Sequence, residues 1–435
     1  MKSLFKYELI FLKSSKTFWV LLGCLLVGTL YGLQNGRDYY EKQNKTIESI
    51  KQNDLKTHQE TLQSFKADTS NQEGKMQFYK ASEASSAMFN SRINVYWQPS
   101  VLSILSIGNR DIYPYYQELL PISLYMRLLK NEIANPLTLL TGNIDFLYII
   151  IFLIPLFLIA LTFNLVAFDK ESNVSSLIEI SVPNKVIFYA KRYLIYVILV
   201  VVLLSVMFLI ATLAFLPKGF EFSSVLTLFI GSILYGIFWL GLSFGINILG
   251  KSSTTNISIL LVFWLFFTVL MPSVVNQITI NKYPVETEKL TNNIRRIQIS
   301  DDEKEHNKIL SVFYNNYPQY KPLKSLAHDE LSFDKAYFAQ GQMNDREGDQ
   351  SFKGMVESME SKNQLLNVSA YINPAMLLQK TFCDYSKTNL NDYLNYLKYV
   401  QQYNEKVKGF YLKRTFKDNK ITLEDFEKNY PKFNY

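Results

Sequence analysis

The sequence is poor in the residues that carry most enzyme chemistry, with two cysteines and three histidines among 435 residues. Cys24 and Cys383 lie in unlike surroundings far apart in the chain, so no disulfide framework is implied. His58, His306 and His328 each fall in a polar stretch, outside any H-E-x-x-H or Cys/His spacing, so no zinc motif is present. A G-x-S-x-G elbow is missing as well. Asp301-Asp302-Glu303 and Asp329-Glu330 are carboxylate clusters of the kind that solvated helix faces carry. Charge is absent where it would cost most. Five apolar runs, residues 17–33, 146–168, 186–216, 223–250 and 254–278, hold no Lys, Arg, Asp or Glu in their central parts, and only Lys191 and Arg192 enter the start of the third. Transport driven by an ion gradient keeps titratable groups at membrane depth. Their absence places the energy source for any work in another subunit.

What the chain does have is length of apolar sequence. A spanning helix needs roughly 20 apolar residues, and the runs meet that length in order. The expected fold is mainly α, a polytopic membrane helical bundle with two large, mostly helical extracytoplasmic modules. The expected division is 1–16, an amphipathic cytoplasmic elbow; 17–33, 146–168, 186–216, 223–250 and 254–278, spans; 34–145 and 279–435, outer modules; and 169–185, a cytoplasmic loop. Orientation follows from Lys and Arg beside the spans. Lys2, Lys6, Lys13 and Lys16 precede the first, Lys170, Lys185, Lys191 and Arg192 lie between the second and third, and Lys251 separates the last two. These segments face the cytoplasm on this reading. The first span lacks a small-x-small cleavage site and stays as an anchor.

Before that span, Phe5, Leu9, Ile10 and Phe11 alternate with Lys6, Glu8 and Lys13 at helical spacing, as in a helix lying on a membrane surface. The first module opens with a polar helical run near 38–78 and continues through apolar segments 101–107 and 112–129; the former is too short to span. In the second, Leu390, Tyr393, Leu394, Leu397, Val400 and Val407 follow helical spacing, and residues 422–426 resemble a capped short helix. Charges in both modules are balanced, which speaks against nucleic acid as a partner. Gly245-Ile246-Asn247-Ile248-Leu249-Gly250-Lys251-Ser252 satisfies G-x-x-x-x-G-K-S, but that chemistry needs a strand leading into the loop. Here the first glycine lies inside an apolar run, and the expected structure is a helix end.

Between the second and third spans, Phe168-Asp169-Lys170-Glu171-Ser172, Ser181-Val182-Pro183-Asn184-Lys185 and Lys191 form an ordered charged loop. With the elbow before span one and the large segment before span two, this resembles the permease subunits of type-2 ABC transporters. Their inner loop reads like E-R-E-x-G-T-L, then S-x-P with basic residues following; Asn173-Val174-Ser175 departs from that pattern. Pro272, Asn276, Pro284, Asn373-Pro374, Gln379, Asp392, Tyr393 and Pro431-Lys432-Phe433 look like a subfamily with a second outer domain of unassigned function. The resemblance implies that Asp169, Lys170, Glu171, Ser172, Ser181, Pro183 and Lys185 couple to an ATPase, with Phe5, Glu8 and Leu9 in the elbow. It implies a half-transporter in the cytoplasmic (inner) membrane, paired with a second copy or a sister permease. No cofactor is expected in this chain: ATP and Mg belong to the partner ATPase, and the chain itself is not an enzyme. It further implies a sixth span after Tyr435. Other expected partners are the lipid bilayer and an extracytoplasmic protein. The cargo is unspecified. The alternative is a non-transporting membrane scaffold or receptor whose outer modules bind a partner, although a mere anchor would not need five spans or an ordered inner loop.

Overall fold

The computed structural model describes residues 2–90, 92–122, 124, 125, 128, 143–284, 299–321 and 332–433. A short helix, α1 (Lys2–Ser14), leads into α2 (Lys16–Ser64), a single 49-residue helix. Ser15 separates them, its hydroxyl accepting from Phe18 N–H at 3.2 Å and capping α2. At 1.5 Å per residue α2 is roughly 73 Å long, more than twice the ~30 Å hydrocarbon thickness. The first apolar run and the polar run after it are therefore one rod. No proline interrupts α2, and Gly28, Gly32 and Gly36 fall on one face of it. That face admits backbone: a Cβ at Gly36 would stand 2.0 Å from the Ile104 carbonyl oxygen, and one at Gly32 2.7 Å from that of Asp145.

The chain continues through α3 (Gln72–Ser82), α4 (Ala84–Asn90), and an antiparallel hairpin of β1 (Ile93–Tyr96) and β2 (Tyr116–Leu119) that pairs Ile93 with Leu119 and Tyr96 with Tyr116. Then come α5 (Phe146–Glu171), α6 (Ser175–Ser181), α7 (Lys185–Phe215), α8 (Phe222–Ile248) and α9 (Ser253–Lys282). Helices α2, α5, α7, α8 and α9 are long and apolar enough to cross a membrane. They pack around Phe146, Tyr196, Val200, Leu204, Met207 and Trp239. Besides α2, three of them start at a side-chain cap the sequence supplies: Asp145 for α5, Asn184 for α7, Ser252 for α9.

Three of these helices contain a π turn, at Ile149–Leu153, Ala211–Phe215 and Phe266–Leu270. A π turn spares a carbonyl from the regular ladder, and in a membrane that group must find another donor. Side chains from elsewhere supply it. Tyr235 donates to Ile151 O (2.9 Å), Trp264 Nε1 to Phe152 O (3.2 Å), Arg37 to Ala214 O (3.3 Å) and Asn373 to Phe267 O (2.8 Å).

The remaining helices are α10 (Glu303–Asn316), α11 (Ser332–Ala370), α12 (Pro374–Ser386), α13 (Leu390–Phe416) and α14 (Leu423–Asn429). The two polar segments do not keep separate cores. Met88, Val95, Trp97 and Leu119 from the first pack with Phe313, Phe338, Phe352, Tyr396 and Phe416 from the second in one cluster. Arg110 fastens this domain to α2, donating to Gln43 Oε1 (2.8 Å) and to the Trp97 carbonyl (2.7 Å) while lying 4.1 Å from the Trp97 ring centroid. The apolar segment 101–107 becomes a turn whose Leu102, Ile104 and Leu105 join the bundle core, together with Ala375, Leu378 and Phe382 of α12.

Candidate coupling site at the N-terminal end of the bundle

The helix ends nearest α1 carry most of the residues singled out from the sequence. Glu8 of α1 is fully buried, and Arg192 of α7 meets it at 2.5 Å. The same guanidinium donates through Nη1 to Asp169 Oδ2 (2.6 Å) and to the Leu165 carbonyl (3.0 Å). Tyr196 donates its hydroxyl to the other Glu8 oxygen at 3.2 Å. A charge removed from water is tolerated when it is paired and fully hydrogen-bonded. One arginine thus ties the N-terminal helix to α5 and α7. The orientation of α1 follows: Glu8 and Leu12 point into the protein, while Phe5, Leu9, Ile10 and Phe11 are exposed, as an interfacial helix requires.

The end of α5 is stapled to the α8–α9 turn. Lys170 Nζ donates to Gly250 O at 2.9 Å, a cation just past the C-terminal end of α8. Glu171 accepts from Ser253 N–H (2.7 Å) and from its hydroxyl (2.9 Å). Ser172 turns back on Phe168 O (2.7 Å), and Asn173 takes a left-handed conformation, φ 61°, that ends this segment. Asparagine tolerates that conformation better than most residues.

Helix α6 then stands off the bundle with no buried residue. Leu177 is 64% exposed and Ile180 85%, and Phe168 and Val174 are exposed beside them. It closes at Ser181, and Pro183, two residues on, has no N–H to donate. Asn184 then caps α7 through Val186 N–H (2.9 Å) and Ile187 N–H (3.2 Å). Lys185 pairs with Glu179 at 2.9 Å on an exposed surface, where such a pair contributes little.

The structure therefore gathers Glu8 and Asp169 around Arg192, and Lys170 and Glu171 around the α8–α9 turn, while Ser181, Pro183 and Lys185 shape the foot of α6. Arg192, Tyr196 and Ser253 were missed by sequence reading. The available signal for Arg192 was a cation entering an otherwise apolar run. Lys191, which the motif pattern favoured, is exposed.

The phosphate-loop pattern at 245–252 is a helix end. Helix α8 runs to Ile248, Gly250 has φ +68°, and Ser252 caps α9, so no strand leads into a phosphate cradle. His58 stacks on Phe426 at 5.0 Å, His306 Nε2 donates to Ser300 O at 2.8 Å, and Asp302 caps α10. His328, Asp329 and Glu330 lie outside the described residues. Among the described residues no group of three His, Cys, Asp or Glu could hold a metal ion, and both cysteines are free.

Residues 287–435 match a family model described as a domain of unknown function (DUF3526). No curated protein and no solved structure matches the chain.

Proposed function

We propose that this chain is the membrane-spanning permease subunit of an ABC transporter, energised by a separate ATPase. It would lie in the cytoplasmic (inner) membrane with its N-terminus in the cytoplasm, paired with a second copy or a sister permease. The observation that carries this reading is α6. A helix of seven residues that buries none of them and exposes Leu177 and Ile180 needs a partner surface to cover its apolar side. The match at 287–435 falls on the segment that the sequence resemblance assigns to a second outer domain.

In the proposed cycle, ATP binding and hydrolysis on the partner move α6. Glu171 and Lys170 pass that movement to the α8–α9 turn, and Arg192 passes it through Asp169 and Glu8 to α1. Because α2 is continuous and Arg110 grips it, movement at its base reaches the polar domain without a flexible joint. The output is export of a substrate, or motion delivered to the extracytoplasmic side. ATP and Mg would act on the partner, where hydrolysis takes place.

The test is gentle purification of the full-length tagged protein from its native membrane, with mass spectrometry of what co-elutes. An ATPase in one-to-one ratio, lost in an Ile180→Asp variant that still elutes as a folded protein, is the expected result. Elution alone, or only with proteins of the extracytoplasmic face, would overturn it in favour of a membrane scaffold.

A further inference from the structure

Residues 365–378, Leu-Leu-Asn-Val-Ser-Ala-Tyr-Ile-Asn-Pro-Ala-Met-Leu-Leu, are apolar but too short to cross a bilayer, a length typical of buried or re-entrant segments. They form the corner between α11 and α12, and two contacts fix its depth. Asn373 Nδ2 donates to the Phe267 carbonyl, and Leu378 packs over Gly231 of α8. The apolar part of α9 runs from Ile257 to Val275. At 1.5 Å per residue, Phe267 lies roughly 12 Å before the domain-side end of that stretch, and Gly231 about 9 Å from Val225, where the apolar part of α8 starts.

The corner's backbone is suited to a site without water. Tyr371, Ile372 and Asn373 N–H donate to Val368, Ser369 and Ala370 carbonyls, at 3.3, 3.1 and 3.2 Å. Pro374 has none to donate. Ala375 and Met376 N–H donate to Asn373 Oδ1 (2.9 and 3.4 Å), and Leu377 N–H to Asn373 O (2.9 Å). Every donor from 371 to 377 is thus met within the corner, the condition for irregular backbone at membrane depth. Yet one side of it is bare: Tyr371 is 72% and Ile372 71% exposed, with Val368 also exposed. The first charges after the corner, Lys380 and Asp384, pair with each other nearer the domain.

We propose that this corner is a wedge of the polar domain inserted into the bilayer, where Val368, Tyr371 and Ile372 touch lipid acyl chains in the leaflet on the domain side. Lipid is the occupant because the corner is held at the depth of helix surfaces that are themselves apolar and exposed, with Phe266, Val269 and Leu270 on α9 and Ile230 and Leu234 on α8. The domain is thereby fastened to the membrane as well as to the helices, independently of any ATPase.

Spin labels at Ile372→Cys and Val368→Cys test this, in a Cys24→Ser, Cys383→Ser background reconstituted in phosphatidylcholine vesicles, with Lys353→Cys as the water-facing reference. Both target sites are exposed, and native-like elution confirms each variant is folded. Expected is relaxation by oxygen at 372 and 368 with loss of relaxation by a water-soluble nickel chelate, and the reverse at 353. Nickel relaxation at 372 and 368 equal to that at 353 would overturn the proposal. So would inaccessibility to both reagents with dipolar broadening, which would mean a second copy covers the corner.

Discussion

Glu8 and Arg192 stand 184 positions apart in the chain and meet at 2.5 Å, with Glu8 wholly enclosed. Glu8 has no water to fall back on, and Arg192 has little. Arg192→Ala strands both Glu8 and Asp169 and is expected to destabilise the bundle by about 3–5 kcal/mol, the cost of leaving a buried charge unpaired. Arg192→Leu combined with Glu8→Leu should recover part of that loss. Thermal unfolding in detergent, comparing single and double variants, checks it; a single variant no less stable than the double would mean the pair is not buried.

Glu171 is exposed and acts through the α8–α9 turn alone. Glu171→Lys replaces an acceptor of two bonds from Ser253 with a cation beside Lys170. The unfolding midpoint should stay near wild type, while ATP turnover by the co-purified ATPase ceases to respond to the permease. Unchanged coupling in a turnover assay would remove Glu171 from the proposed route.

Gly36→Ala would force a methyl to within 2.0 Å of the Ile104 carbonyl, and Gly32→Ala would press on Asp145 at 2.7 Å, backbone that cannot turn aside. Overpacking of this kind costs about 1–3 kcal/mol. Gly23→Ala and Gly241→Ala meet nothing within 4 Å and should be neutral or stabilising by up to about 1 kcal/mol, the gain in helix propensity. Equal midpoints for the two pairs would contradict the close approach of α2 to the 101–107 turn and to the start of α5.

Burial pushes the Asp145 carboxyl up to about 6, against bonds from Tyr148 and Ile107 N–H that pull it down. The unfolded chain gives up this proton near 3.8, so between that value and about 6 the folded protein binds more protons than the unfolded one. Asp145 therefore favours the folded state most at low pH, and its contribution falls as pH rises through this window. The unfolding midpoint should drop between pH 4.5 and 6.5 by more in wild type than in Asp145→Asn, which cannot ionise. Parallel pH profiles would show that Asp145 is already ionised throughout.

Local features of this fold were legible in the residues themselves. Apolar runs marked the helices long enough to cross a membrane, because a spanning segment must be apolar over roughly 20 consecutive positions. Thr422 and Asp425 form the reciprocal cap of α14 that their spacing foretold. The order of charges after residue 168 pointed to residues that gather near Arg192 and the α8–α9 turn, yet not to Arg192 itself. Arg192 reads in sequence as one of two basic residues beside a span, and Lys191, its neighbour, points away.

By itself the sequence determined which stretches become helix and where several of them are capped, since period, capping and side-chain polarity act over a few residues. Tertiary structure decided the rest. It made residues 16–64 a rod shared by bundle and domain, merged Trp97 and Phe416 into one core, and drew α12 down against α8 and α9. Those outcomes depend on which faces meet across hundreds of positions. Each is settled by close fit, as at Gly36, and by the need to pair every buried charge and spare carbonyl, as at Arg192 and Phe267.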